Sequence, residues 1–487
     1  MKQKGFRGWI TTIAIGVLVF GFVLPGLAQE KFGLKDIPEI KNKEPINMIV
    51  ETGASWDKVI DYIKQFETAT GVKVNIERVA SPVVYSKENV ELMAETGHYD
   101  VVYVETSWTC EWSDFLWNLE ELAAQYDPNG VEGFKEDIQN MSPVLLRCGQ
   151  AYGEQKVLPF YTYHVGMFIR QDVYDDPTEQ ANFKAKYGYD LKPPVTEKEL
   201  YDQAEFFTRK KGELLKGQPL EHDLYGVAMM AGAYQINDEI TSRIWGKGGD
   251  YATVIRNSDG SLKEFVITNK DKDILKEALT EYKDLLKFAP AGCLTANFDF
   301  TCAQQGEGHA IIQPHQFASL FTFTADLLKQ HVPDGRLSVY PTIGGQPYTG
   351  AWSLGVAKAS KNPEAAYWLV RYISSYDCQK VLMKEGGQFS ARMDLMLDPE
   401  FHTAETEYPL GIVCTYLVDI WESQAPYVDN YWYFNTKAGG KVYEMQMNIL
   451  HKPMADQQTV DECIRELVDK TIELTSKFDD VPIREEE

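Results

Sequence analysis

The feature that most constrains the fold is a strand–helix–strand–helix–strand pattern near the start of the chain. Residues 46–50 are an apolar run typical of a buried strand, and residues 55–71 carry apolar side chains at helical spacing. Residues 72–76 alternate apolar and polar side chains, as a half-buried strand does, and 87–96 and 100–104 repeat the helix and the strand. This order predicts an α/β fold built on a parallel sheet with right-handed crossovers.

Two loops follow the first and third of these strands, at residues 51–54 and 105–108. In open α/β sheets ligands bind beyond the carboxyl ends of the strands. The pattern therefore places a candidate binding site at these two loops.

The pattern changes near residue 157. A dense aromatic stretch leads into alternating residues 165–169, which predicts a strand that crosses into a second lobe. Asn362 and Pro363 have the residue types of a helix cap and first turn. Further helices are predicted at 197–211, 272–287 and 459–477. A chain of 487 residues exceeds the roughly 250–300 residues at which single cores stop growing, so more than one domain is expected.

The first 28 residues have the pattern of an export signal. Lys2, Lys4 and Arg7 precede the uncharged run 9–24, and residues 25–28 supply Pro, Gly and small side chains for cleavage after position 28. A membrane anchor is the alternative, since a span needs about 20 apolar residues. No cysteine stands directly after the run, at the cleavage site, so a lipid-anchored form is not expected. We therefore predict a free periplasmic protein with a cleaved leader.

The chain is strongly acidic, with a formal net charge of −24 that becomes more negative once the basic leader is removed. Such a surface repels nucleic acid and anionic lipid. It disfavours an anionic small ligand only weakly, because a local pocket can override the global charge.

Seven cysteines all follow the leader, so disulfides are chemically possible in an exported protein. The spacing favours a bridge between Cys293 and Cys302, with two unpaired buried thiols as the alternative. Weaker candidates pair Cys110 with Cys148 and Cys378 with Cys414.

Catalytic and metal-binding signatures are not found. The chain has no HExxH, GxSxG or phosphate-loop motif, and its cysteines and histidines follow no ligand spacing. Acidic pairs such as Glu120 and Glu121 are common on solvated helices and do not by themselves indicate a glycosidase. We predict neither catalysis, nor a cofactor, nor a metal.

An ordered set of short motifs resembles the extracellular solute-binding proteins of carbohydrate ABC importers, of the maltose-binding type. Each motif is weak alone, but together they run in the family order over nearly the whole mature chain. They are found at 55–74, 97–102, 158–172, 306–314, 344–366 and 459–462.

The resemblance implies a two-lobe periplasmic binding protein fold, type II, with parallel-rich mixed sheets and a crossing-strand hinge. The implied first lobe comprises 45–160 and 349–388, the second comprises 161–348 and 389–478, and an acidic tail follows at 479–487. It also implies a monomer that closes on a sugar, oligosaccharide or polyol and delivers it to membrane permease subunits.

Nine positions fall where the family places ligand contacts. They are polar side chains, aromatic rings or an arginine in loops and crossing segments: Ser107, Trp108, Tyr163, Tyr234, His315, Trp352, Gln388, Arg392 and Trp432. For each, a structural role in the core is the alternative.

Several positions depart from the maltose binder. Gly53 and Ala54 replace an acid and a lysine, Tyr163 replaces a carboxylate, and His315 replaces an indole. The maltodextrin site is therefore not reproduced. A polyamine, peptide or metal complex in the same fold, and a secreted carbohydrate-active enzyme, are the alternative functions.

Overall fold

A computed structural model describes residues 31–486, in which seventeen strands and eighteen α-helices form. The predicted leader and its cleavage site lie outside these residues. The strands are β1 (Ile46–Glu51), β2 (Val74–Val79), β3 (Val101–Glu105), β4 (Gln150–Ala151), β5 (Glu154–Gln155), β6 (Val157–Thr162), β7 (Val165–Arg170), β8 (Leu214–Leu215), β9 (Gln218–Pro219), β10 (Tyr225–Val227), β11 (Thr253–Arg256), β12 (Leu262–Ile267), β13 (Ala310–Phe317), β14 (Leu337–Tyr340), β15 (Ala351–Val356), β16 (Phe389–Ser390) and β17 (Ile483–Glu485).

The helices surround these sheets. They are α1 (Ala54–Thr70), α2 (Ser81–Met93), α3 (Leu119–Tyr126), α4 (Gly130–Ile138), α5 (Pro143–Cys148), α6 (Gln171–Tyr174), α7 (Pro177–Tyr187), α8 (Glu197–Phe207), α9 (Ile236–Gly246), α10 (Asn269–Leu285), α11 (Phe298–Gly306), α12 (Phe321–His331), α13 (Pro363–Ile373), α14 (Tyr376–Glu385), α15 (Met393–Met396), α16 (Ile412–Gln424), α17 (Gly439–Met454) and α18 (Val460–Phe478).

The first three strands pair as the sequence predicts. β1 lies between β2 and β3 and runs parallel to both, with Met48 opposite Ile76 on one side and Val101 on the other. The buried pattern of β3 explains its continuous apolar run, because strands covered on both faces lose the alternation. The carboxyl ends of β1 and β3 therefore meet at one edge, at Glu51 and Glu105.

Two main sheets, each with its own hydrophobic core, make the fold a two-lobe α/β structure. The first has the order β16-β6-β15-β3-β1-β2, and the second has the order β10-β13-β7-β14. One core joins residues such as Trp56 and Val102, and the other joins residues such as Phe168 and Ile240. The short helix α5 contributes to the second core although its neighbours in sequence belong to the first.

The chain passes between the lobes along adjacent segments. β6 belongs to the first sheet and β7 to the second, while the return segment leads from β14 into β15. The two segments are hydrogen-bonded, from Tyr163 N to Gly350 O at 3.1 Å and from Val165 N to Tyr348 O at 3.2 Å. These paired crossings are the predicted hinge strands.

Side-chain caps begin two of the later helices, the first of them at the predicted Asn362. Asn362 caps α13, and Thr459 caps α18 in a reciprocal pair with Glu462. Helix α8 ends at Phe207 rather than at 211, because residue 209 bridges to Leu224 instead of continuing the helix. The acidic end of the chain contains β17, which pairs in parallel with β12.

The predicted disulfides are wrong, because all seven cysteines are free thiols and all are buried. Cys293 accepts a hydrogen bond from Met229 N at 3.3 Å, and Cys302 accepts one from Gln316 Nε2 at 3.4 Å. Burial raises the pKa of each of these two thiols to about 12. The alternative of unpaired buried thiols is the one that the structure contains.

None of the helices in residues 31–486 combines the length and apolarity that a membrane crossing requires.

Candidate functional site: the inter-lobe cleft

The candidate site lies where the carboxyl ends of β1 and β3 face the second lobe, and we call it the cleft. Glu51, the last residue of β1, accepts hydrogen bonds from Tyr103 Oη at 3.0 Å and Tyr161 Oη at 2.7 Å. Two rigid phenols thus hold its side chain in these contacts. An acceptor is thereby positioned at the edge of the first sheet.

Glu105, the last residue of β3, forms the centre of the cleft. Its Oε2 accepts the backbone N–H of Ser107 at 2.8 Å and the Ser107 hydroxyl, and its Oε1 accepts the Tyr163 hydroxyl. Tyr348 Oη lies 3.4 Å from the same Oε1. Burial raises the pKa of Glu105, and these hydrogen bonds oppose the shift. Both crossing segments therefore place a tyrosine on one first-lobe carboxylate.

The second lobe supplies its own buried carboxylate. Asp238, in the first turn of α9, is 2% exposed and accepts a hydrogen bond from Tyr443 Oη of α17 at 2.6 Å. Burial raises the pKa of Asp238 to about 8, and the charge of Glu105 from the other lobe contributes to that shift. The phenols that contact the two carboxylates, Tyr348 and Tyr443, have ring centroids 6.2 Å apart, so the carboxylates lie on neighbouring phenols of the cleft.

An aromatic wall lines the first-lobe side. Trp352 stacks on Tyr103 with ring centroids 4.4 Å apart and an interplanar angle of 4°, and its ring meets the edge of Trp108 at 5.4 Å. Trp108 packs against Trp112 at 5.1 Å and Tyr85 at 5.0 Å. Trp352 is only partly buried, so its ring remains accessible at the end of this wall. An accessible aromatic face of this kind packs well against the apolar face of another ring.

A further acid, Glu111, joins the aromatic wall to the other lobe. Its Oε1 accepts the Tyr85 hydroxyl at 2.7 Å and pairs with the ammonium group of Lys441 in α17. Gly440 allows this approach, since a Cβ there would lie 2.7 Å from Glu111 Oε2 and 2.8 Å from Trp108 Cδ1. Helix α17 of the second lobe therefore begins in direct contact with the first.

Five of the nine side chains predicted from sequence lie at the cleft. Ser107, Trp108, Tyr163 and Trp352 take part in the contacts above. Tyr234 is 46% exposed and lies close enough to Tyr161 to contribute, after burial and Glu51, to the raised pKa of that phenol.

The other four occupy different surroundings. His315 is 4% exposed within β13, and burial lowers its pKa well below the usual range. Arg392 is 2% exposed and binds Asp137 at 3.2 Å and Asp394 at 3.0 Å. The remaining two are a fully buried indole and a partly exposed amide, at Trp432 and Gln388.

Sequence reasoning selected aromatic rings and missed the acids and phenols that meet in the cleft. Two of the missed carboxylates, Glu51 and Glu105, open the two loops that the strand pattern indicated. Their positions at the carboxyl ends of two predicted strands could therefore have identified them from the sequence. The missed side chains are Glu51, Glu105, Glu111, Tyr161, Asp238, Tyr348, Lys441 and Tyr443.

No group of three or more His, Cys, Asp or Glu side chains in the described part of the chain is placed to hold a metal ion.

The raised pKa of Asp238 predicts how the stability of the protein depends on pH. The unfolded chain releases this proton near pH 4, at the usual pKa of an aspartate, whereas the folded protein keeps it up to about pH 8. The contribution to stability is therefore complete below about pH 4 and is lost as the pH rises through about 8. We expect Asp238→Asn to flatten the decline in Tm between pH 5 and 8, measured by circular dichroism.

The exposed Asp273 provides the matched control, because Asp273→Asn makes the same chemical change on the surface of α10. If the Tm of Asp238→Asn fell with pH as steeply as that of the wild type, the assignment of a retained proton to Asp238 would be wrong.

Comparisons with known proteins match this architecture. A model for the family described as bacterial extracellular solute-binding protein matches residues 49–380, more than half of the chain. A ribitol-bound ABC transporter solute-binding protein from Agrobacterium radiobacter is similar with a TM-score of 0.67 at 16% identity, covering 90% of this chain and 100% of its own.

Two further structures show the same fold. A maltose-bound protein from T. maritima has a TM-score of 0.64 at 18% identity, covering 88% of this chain and 98% of its own. A solute-binding protein from Agrobacterium vitis with bound D-mannitol has a TM-score of 0.64 at 18% identity, covering 89% and 99%.

Proposed function

Because this chain belongs to the family of bacterial extracellular solute-binding proteins, we propose that it captures a sugar, oligosaccharide or polyol between its lobes for an ABC importer. The observation that carries the proposal is the combination, in one cleft, of the Trp352 ring with the carboxylates Glu51 and Glu105. Aromatic faces pack on the apolar faces of sugar rings, and carboxylates accept hydroxyl protons. A hydrogen bond to a charged partner contributes about 1.5–3 kcal/mol.

The ligands of similar structures support this class of solute. The three named above hold ribitol, maltose and D-mannitol in the same fold. Their common chemistry is a chain or ring of vicinal hydroxyl groups. The cleft of this protein offers several hydrogen-bond acceptors to such a ligand.

The mechanism is closure of the two lobes around the hinge segments. Glu105 belongs to one lobe and Asp238 to the other, so a ligand that contacts both favours the closed arrangement. Membrane permease subunits would then bind the closed shape. The proposed role includes no catalytic step, in keeping with a family of binding proteins.

The proposed location is the periplasm. We infer that the leader is cleaved after Ala28 and that the mature protein diffuses freely there as a monomer. This is consistent with the extracellular character of the family.

A ligand panel tests the proposed function. We expect at least one sugar or polyol, from a set including maltose, ribitol and D-mannitol, to raise the Tm of the purified protein. A ligand that binds only the folded state stabilises it by about 2.7 kcal/mol at 100 times its Kd. Tryptophan fluorescence should change in parallel, since Trp352 and Trp108 lie in the cleft. A full panel without any shift in folded protein would overturn the assignment.

The acidic cleft favours a second candidate, a polyamine. Glu51, Glu105 and Asp238 could bind ammonium groups without any sugar scaffold. Spermidine and putrescine belong in the same panel, and a shift with these alone would replace the carbohydrate by a polyamine.

A further inference from the structure

Two buried carboxylates from opposite lobes, Glu105 and Asp238, lie in the cleft, and no cation of the described residues pairs with either. Glu105 is 9% exposed and Asp238 is 2% exposed. The phenols that contact them, Tyr348 on Glu105 and Tyr443 on Asp238, have ring centroids 6.2 Å apart. Within residues 31–486, the hydrogen-bond donors to these two side chains are the backbone of Ser107 and neutral hydroxyl groups. No lysine, arginine or histidine side chain there forms an ion pair or hydrogen bond with either.

The side chains that contact the pair carry no positive charge, and the buried Arg243 farther along α9 pairs with Glu197 instead. Tyr443 of α17 contacts Asp238, while Tyr163 and Tyr348 of the crossing segments contact Glu105. The next residue of α9, Glu239, is a further buried acid that raises the pKa of Asp238 after burial and Glu105. Burying unpaired carboxylates is costly, so a proton or a cation is favoured at this position.

Glu111, another acid of the cleft, has a cationic partner of the kind that the pair lacks. Glu111 holds the primary ammonium group of Lys441, which also lies 3.5 Å from Tyr85 Oη and 4.6 Å from the centre of the Phe478 ring. A carboxylate, a phenol and an aromatic face thus already surround one ammonium ion at this inter-lobe boundary.

Glu111 also carries an independent sign of a missing donor. Its side chain is 3% exposed, and its Oε2 is buried without a hydrogen-bond partner in the structure. That oxygen lies beside Trp108 and the first turn of α17, as the close approach to Gly440 shows. Buried acceptors are normally satisfied, so this position calls for a donor from a ligand or a water.

We propose that the Glu105–Asp238 pair makes the cleft select a sugar bearing a protonated amine over the same sugar without it, and exclude the sugar bearing a carboxylate. The inference rests on the proposed carbohydrate-binding function. The amine replaces the proton that Asp238 otherwise retains and is shared by one carboxylate from each lobe. Lobe closure and charge neutralisation are thereby coupled. A carboxylate on the ligand would add a third negative charge to the pair.

The test compares three matched sugar triplets by calorimetry at pH 7 with the purified full-length mature chain. They are glucose, glucosamine and glucuronate, then galactose, galactosamine and galacturonate, then mannose, mannosamine and mannuronate. We expect the amine of at least one triplet to bind at least tenfold more tightly than its neutral parent. The acid of that triplet should bind more weakly than the parent.

The variants Asp238→Asn and Glu105→Gln should each bring the amine-to-neutral ratio of affinities close to one. Asp273→Asn, the surface control, should leave the ratio unchanged. Melting curves show whether each variant is folded. The two variants change different lobes, so the test can still be made with one variant if the other misfolds.

The outcomes separate the two proposals. Neutral sugars that bind as tightly as their amines overturn the charge selectivity while the carbohydrate-binding function stands. An unchanged ratio in both folded variants likewise overturns the assignment to this pair. If no member of the triplets or of the wider sugar panel binds, both the proposed function and this inference fail.

Discussion

Replacing Trp352 with alanine is expected to weaken binding of the tightest ligand in the panel by about 30- to 100-fold, while the ligand-free protein stays folded. The indole is partly exposed at the end of the aromatic wall, so truncation removes a platform for the ligand more than it opens the core. Loss of a buried aromatic anchor at a binding site costs about 2 kcal/mol or more. The affinity is measured by calorimetry and the fold by circular dichroism.

Trp117→Ala is the matched control. Trp117 is also a partly buried indole packed on the first core, but it precedes α3 and takes no part in the cleft contacts. This variant should lower the Tm and leave the Kd unchanged. If Trp352→Ala instead unfolded the protein, or kept the wild-type Kd, the indole would be a core residue and the aromatic wall would not be the ligand platform.

Replacing Arg371 with methionine is expected to lower the free energy of unfolding by about 3–5 kcal/mol without changing ligand affinity at a temperature where the variant is folded. Arg371 lies in α13 and is 3% exposed. Its guanidinium group binds Asp127, which directly follows α3, and Asp137, which lies in α4. Its guanidinium group also lies 4.1 Å from the centre of the Phe32 ring. Truncation leaves Asp127 buried without its cation, and such an uncompensated charge is strongly destabilising.

Urea unfolding followed by circular dichroism measures this loss. The control is Lys184→Met, which breaks the exposed pair with Asp190 and should leave the unfolding midpoint unchanged, since exposed ion pairs contribute little. An Arg371→Met protein as stable as the control would contradict the structural role of the buried network. A selective loss of affinity would instead connect that network to the cleft.

The same network explains why Arg392 was difficult to interpret from the chain alone. Its place in a glycine-rich segment is compatible with a ligand contact, yet in the structure Asp137 and Asp394 take its guanidinium group. Asp137 is far from Arg392 in sequence, and no local pattern relates the two. A charged side chain therefore shows its role only when its partner is known.

The cysteines illustrate the same point. An export signal and a nine-residue spacing favoured a bridge, but Cys293 and Cys302 bind different neighbours in the second lobe, Met229 N and Gln316 Nε2. Disulfide formation depends on the separation and direction of two side chains, which sequence spacing does not fix.

The order of strands, the parallel pairing of β1 with its neighbours and the position of the loops at Glu51 and Glu105 could all be predicted from residue periodicity. Such patterns are local, because each side chain's burial on a strand or helix follows from its own few neighbours. The structure brings these two loops to one edge of the sheet, although the acids in them were not selected.

The placement of Glu105 and Asp238 in one cleft could not be predicted in this way. The crossing segments bring one strand end of the first lobe to a helix start of the second, and Tyr163, Tyr348 and Tyr443 complete the contacts. Those five residues are spread over most of the chain, so their meeting depends on how two separately formed cores pack around one hinge. The strand pattern of residues 46–105 thus determined which two loops meet at one edge of the sheet, and the packing of the lobes determined which charged side chains face those loops.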